Sequence, residues 1–231
     1  MELDNEFNTL EIRANASGAV EAAREGKVVM IVDVIDMSTA AEAALEAGAR
    51  KIFGATPDQI SPPVPVGPRK IAYSAGQLAR KYNTEVVIVA EPRWGTRKER
   101  EQEVGEVLQG VEQAGAPVAD IVPNLGAQIG GLIDWAGKVV ILATKTGGTA
   151  FDAAYNQGAA QVVTGTVART KVKTGVEPAQ AAAERAIKLA GQYNTGISVV
   201  AASANSYEDI LAAEKIGRVI IDSGFLELAR K

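Results

Sequence analysis

The chain has 231 residues, 24 Lys and Arg against 28 Asp and Glu, and a formal net charge of −4. With no His and no Cys, it has no Ser-His-Asp triad, thiol nucleophile, disulfide or ordinary zinc site. Acid–base work therefore falls to carboxylates, Lys, Tyr, hydroxyls or water, and any metal is a hard cation held by oxygen.

From the N-terminus onward, strands and helices alternate. Residues 27–34 form the first continuous Val- and Ile-rich run, and an Ala-rich helix follows over 38–47, with Ser38 and Thr39 as capping residues and Gly48 at its stop. A strand over 51–55 leads into residues 61–68, Ser-Pro-Pro-Val-Pro-Val-Gly-Pro, which read as an extended surface loop because proline lacks the N–H and restricts its neighbour. A helix over 74–82, a strand over 85–90 and a helix over 97–113, densely charged over 97–106, come next. The strands 138–143, 161–166, 197–203 and 218–222 then interleave with helices 149–157, 177–193, 206–215 and 224–231. Continuous apolar runs are what strands covered on both faces require. The pattern predicts a single α/β domain over residues 1–231, a three-layer α/β/α arrangement around a mostly parallel sheet of about seven strands.

One internal echo stands out. Residues 39–49 (TAAEAALEAGA) align without gaps on residues 149–159 (TAFDAAYNQGA), and Glu42 pairs with Asp152. Each copy follows one apolar strand and precedes another, so two similar helices start just after two strands.

Ligands of open parallel sheets bind beyond the carboxyl ends of the strands. Two of these ends have suitable composition: residues 33–39 (Asp-Val-Ile-Asp-Met-Ser-Thr) and residues 144–149 (Thr-Lys-Thr-Gly-Gly-Thr). Hydroxyls and glycines at a strand-to-helix turn can present N–H groups to an anion, with Lys145 as a nearby charge. Ordinary caps and tight turns explain the same residues without a ligand. Asp33, at the end of an apolar strand, needs a partner or a cation, and it could equally cap the next helix. A haloacid-dehalogenase phosphatase spaces its two acids two residues apart, whereas Asp33 and Asp36 are three apart. Glu208 and Asp209 suit the first turn of a helix, and Glu91, Arg93 and Trp94 follow another strand.

In this order the segments resemble the 2-phosphosulfolactate phosphatase family of coenzyme M biosynthesis. The family's Asp-Val-Leu-Arg-Ala-Ser-Thr-Thr is similar to residues 33–40, its Thr-Thr-Thr-Asn-Gly-Thr to residues 144–149, and its Gly-Ser strand end to Gly165-Thr166. Its acidic helix start resembles residues 206–209, and its Glu-Arg-Gly-Gly loop is matched loosely by Glu91, Arg93 and Gly95. The resemblance implies a magnesium-dependent phosphatase in which water attacks a phosphate monoester. Asp33 and Asp209 become catalytic residues, and Asp33 with Glu208 or Asp209 the metal ligands. Ser38, Thr39, Glu91, Arg93, Thr144, Lys145, Gly147, Gly148 and Thr149 become the substrate site. Asp36 stands where the family has Arg, Gly147 where it has Asn, and Pro92 and Trp94 interrupt the loop. A non-catalytic paralogue binding a phosphorylated metabolite or nucleotide is therefore the alternative.

The expected partner is a small phosphorylated anion, with no nucleic acid and no membrane, and a homodimer as the assembly. An acidic N-terminal stretch, unlike the basic opening of a secretory signal, points to the cytoplasm.

Overall fold

The computed structural model describes residues 8–227. Among these residues eight strands make two four-stranded sheets, parallel at every pairing, rather than the one sheet of about seven strands expected above. The first has the order β1-β8-β2-β7, built from β1 (Leu10–Ala14), β2 (Val28–Val32), β7 (Gln161–Thr164) and β8 (Ile197–Ala201). The second has the order β3-β6-β4-β5, built from β3 (Lys51–Ala55), β4 (Val86–Ala90), β5 (Val118–Pro123) and β6 (Val139–Ala143).

The chain passes between the sheets through two helices. Helix α2 (Thr39–Glu46) carries it from β2 to β3, and α6 (Gly147–Asn156) carries it back from β6 to β7. These are the two helices of the internal echo. Both are sunk in the protein: Thr39–Ala44 and Gly147–Ala154 are buried at every position. A helix enclosed on all sides needs small side chains, which explains the Ala-rich composition of both. One hydrophobic cluster runs from Val29 and Ile31 of β2 through Ala40 and Ala44 of α2 to Val87, Val89, Val140 and Leu142 of the second sheet. The sheets therefore share a core. On the opposite face of the first sheet, α7 (Glu177–Tyr193) and α8 (Tyr207–Asp222) cover Val28, Met30 and Val199.

Several expectations need correction. Residues 218–222 are the end of α8, whose buried Ala212, Ala213, Ile216 and Ile220 follow helical spacing. Edge strands β1 and β5 and helix α1 (Asn15–Arg24) were not anticipated. Pro68 ends the proline-rich loop by opening α3 (Pro68–Lys81), in the first-turn position where its missing N–H costs nothing. The charged helix is two helices, α4 (Arg97–Glu103) and α5 (Gly105–Gln113). Thr96 and Glu99 form a capping box on α4, and the Asp58 carboxylate accepts the Gly105 and Glu106 N–H groups that begin α5. Where a helix was expected over 224–231, Gly224 is a turn residue and residues 225–227 form a 3-10 turn, and residues 228–231 lie outside the described residues. Among the described residues no helix is long and apolar enough to cross a membrane.

Candidate functional site

Asp33 sits where β2 ends, and the next five residues, Val34–Ser38, form a π-helical turn. The Ser38 N–H reaches back to the Asp33 carbonyl at 2.6 Å. Ser38 Oγ also accepts the Asp33 N–H (2.9 Å) and donates to Ile31 O (3.2 Å), so this hydroxyl fastens the turn to its strand. The Asp33 side chain crosses to the other sheet. Its Oδ2 accepts from Thr146 Oγ1 and from the Gly147 N–H, each at 2.6 Å, while Oδ1 accepts the Asp36 N–H at 2.9 Å. The start of α6, 114 residues away, is thereby capped by the acid that ends β2.

That cap changes the phosphate cradle expected at residues 144–149. Thr144 Oγ1 accepts the Gly148 N–H (2.8 Å), Thr144 O accepts the Thr149 N–H (3.2 Å), and Thr146 O accepts the Ala150 N–H (2.9 Å). With Gly147 bound to Asp33, all four first-turn donors of α6 have protein acceptors, so they are not offered to an anion. Gly147 and Gly148 serve close packing instead: a Cβ would lie 2.6 Å from Asp33 Oδ2 at the first and 2.3 Å from Ala55 O at the second. Thr149 Oγ1 is buried without a hydrogen-bond partner, and Lys145 stays exposed at the turn.

Asp209, in the first turn of α8, accepts the Val34 N–H on Oδ1 at 2.8 Å. Burial pushes its carboxyl up from an ordinary 3.8 to about 6, and the charges of Asp33 and Glu208 push the same way; the Val34 N–H and Ser206 oppose them. Asp33 is also raised, by burial first, against the pull of Thr146 and the two N–H groups. Two desolvated carboxylates thus end neighbouring segments, and the charge of Asp33 adds to the rise at Asp209. Glu208, by contrast, is exposed, and the predicted grouping of Asp33, Glu208 and Asp209 is not formed: among the described residues no three acids gather as a metal cage. The donor set still suits magnesium in a leaner form. Among the described residues Asp33 Oδ1 accepts one hydrogen bond, from the Asp36 N–H, Asp209 is a second buried hard donor, and magnesium is commonly held by one or two carboxylates with substrate phosphate completing the shell.

The loop after β4 closes the other side. Arg93 binds Asp36 Oδ1 at 2.7 Å and Glu91 Oε1 at 3.2 Å. The Arg93 guanidinium thus lies beside Asp36, where two carboxylates claim it. Ile35 and Trp94, neighbours of this pair in sequence, are exposed apolar side chains. Thr39 Oγ1 donates to Val34 O (2.5 Å) and shares a hydrogen bond with Thr166 Oγ1 (3.1 Å).

The structure therefore brings Asp33, Asp36, Arg93, Glu91, the 144–149 turn and Asp209 together at the carboxyl ends of β2, β4, β6 and β8, across both sheets. Sequence reasoning missed Asn124, fully buried after β5, whose Nδ2 donates to Asp36 O at 2.5 Å. It also passed over Thr146 as a ligand of Asp33. Asn124 carried no usable signal because β5 itself had not been recognised. No protein-family model matches the chain, and no curated protein matches it either.

Proposed function

We propose that the strand-end cluster is the active site of a hydrolase acting on a small phosphorylated anion, with Asp33 and Asp209 as its working carboxylates. The observation that carries this reading is the meeting of two buried acids, Asp33 and Asp209, beside a turn carrying Lys145 and a loop carrying Arg93. A carboxyl near 6 exists in both protonation states around neutrality, which suits a general base or acid.

In this reading water adds to phosphorus as the ester P–O bond breaks. Asp209 in its carboxylate form takes the proton from water, and the departing alkoxide is protonated by solvent. A magnesium ion held through Asp33 would supply charge stabilisation at the phosphate oxygens when bound, leaving Asp209 free to take the proton. Lys145 and Arg93 provide the fixed positive charge on the substrate side. The N-terminus of α6 acts through Asp33, holding that carboxylate in place rather than touching the phosphate.

2-Phosphosulfolactate is the substrate the family resemblance suggests. Asp36 and Glu91 lower the positive charge left on Arg93 for a ligand that carries a carboxylate and a sulfonate besides its phosphate, so a less highly charged phosphate ester is favoured over it. The same ion pairs support a second reading, a binder of a phosphorylated metabolite without turnover.

Phosphate release from a panel of phosphomonoesters, with magnesium and with chelator, tests the proposal. Release should need magnesium and fall about a hundredfold or more in Asp209→Asn, with the variant still melting cooperatively. Unchanged release in that variant would remove the site from consideration. Thermal stabilisation by an ester that is never cleaved would establish the binder instead.

A further inference from the structure

A cleft of about 350 Å³ lies between β3 and β7, away from the strand-end cluster and sharing no lining residue with it. Each of these strands pairs on one side only, β3 with β6 and β7 with β2, so their outer edges flank the gap. Leu45, Ile52, Val162 and Leu189 give it apolar walls. Its charged lining residues are all cationic: Arg50, Lys51, Arg185 and Lys188, with no acid among the described residues that line it. In a chain of net charge −4 this is a local reversal of sign.

The cations differ in what already holds them. Arg50 stacks over the Tyr82 ring at 4.1 Å, and Arg185 donates to Thr164 O (2.7 Å) and Glu42 Oε2 (2.8 Å). Lys51 is the unusual one. Its ammonium is set between the two strands and, among the described residues, meets only the neutral Gln161 Oε1, at 3.2 Å. Burial and the nearby Arg185 charge both push its pKa down. A partly buried ammonium without a counter-charge is costly, and an anion entering the cleft would relieve it.

We propose that the β3–β7 cleft binds a small amphipathic anion, its apolar body against Ile52, Val162 and Leu189 and its carboxylate, sulfonate or phosphate on Lys51 and Lys188. The volume suits a small ligand, at the low end of the roughly 300–1,000 Å³ of such pockets. The cleft is independent of the proposed hydrolase site.

Anilinonaphthalene sulfonate, an aromatic anion that fluoresces in apolar surroundings, tests this on the full chain. The expected result is saturable one-to-one binding to the native protein, displaced by octanoate but not by octanol. Affinity should drop about tenfold or more in Lys51→Met, which keeps the apolar stem and removes the charge. Leu189→Glu should abolish binding, and Asp209→Asn should leave it unchanged. Melting curves of each variant confirm that it is folded, and Leu189→Glu decides the matter if Lys51→Met is not. Absence of saturation, equal binding in the cleft variants, or loss in Asp209→Asn would overturn the proposal. So would probe release on raising protein concentration, which would give the cleft to a second copy of the chain.

Discussion

Asp209 and Glu208 are adjacent acids with opposite fates. Helix phase turns Asp209 inward onto the Val34 N–H and leaves Glu208 in solvent. Because the folded state raises the Asp209 pKa from 3.8 to about 6, the folded protein binds its proton more tightly than the unfolded chain does. This group's unfavourable contribution is absent below the lower value and complete above the higher one, so it lowers stability as pH rises through that window. Asp209→Asn removes the titration. The melting temperature of the variant relative to the parent should therefore rise from pH 4 to pH 7, and an unchanging difference would contradict the assignment. Asp152, also raised by burial, remains in both proteins and cancels from the comparison, while the relief of Asp33 from the Asp209 charge adds in the same direction. At Gly147 the constraint is steric, since an added Cβ would sit 2.6 Å from Asp33 Oδ2 and 2.8 Å from Met37 Cβ. Gly147→Ala should cost about 1–3 kcal/mol in urea unfolding, and a neutral outcome would mean that Asp33 is not held as described.

At the scale of elements, the crossover helices α2 and α6 show what their sequence echo means. The aligned acids Glu42 and Asp152 are both buried, yet they hold different things. Glu42 pairs with Arg185 at 2.8 Å and Lys173 at 2.9 Å, tying α2 to α7 and to the loop before it. Asp152 accepts the Thr56 and Gly67 N–H groups and so anchors both ends of the proline-rich connection. Truncating one member of a buried ion pair leaves its partners uncompensated, and Glu42→Ala should cost about 3 kcal/mol or more. Chemical denaturation measures this, and a loss under about 1 kcal/mol would show the pairs to be solvent-screened. The break between α4 and α5 teaches a related point: the Asp58 carboxylate that starts α5 lies 47 residues upstream of Gly105, where no local pattern could announce it.

For the whole molecule, a core shared across two sheets implies one cooperative unit. Trp135 is buried with its indole N–H on Ile129 O (2.9 Å), whereas Trp94 is 93% exposed. With Trp94→Phe in place, Trp135 emission should follow the same denaturation curve as far-UV ellipticity; separated midpoints would mean that the sheets unfold independently. The α/β class, the central strands and the whole of α7 were legible in the sequence, because a strand covered on both faces must be continuously apolar and an amphipathic helix must repeat its pattern. Edge strands β1 and β5, half covered and interrupted by Glu11, Arg13 and Asp120, lack that signature. Turn chemistry likewise marked Asp33, the 144–149 segment and the acidic start of α8 as candidates. Which strands pair, that there are two sheets, that Asp33 occupies the N-terminus of α6 and that Arg93 meets Asp36 were decided only by the tertiary structure. An apolar run records that a strand is buried but not what lies beside it, and a contact spanning 57 or 114 residues exists only once the chain has closed on itself.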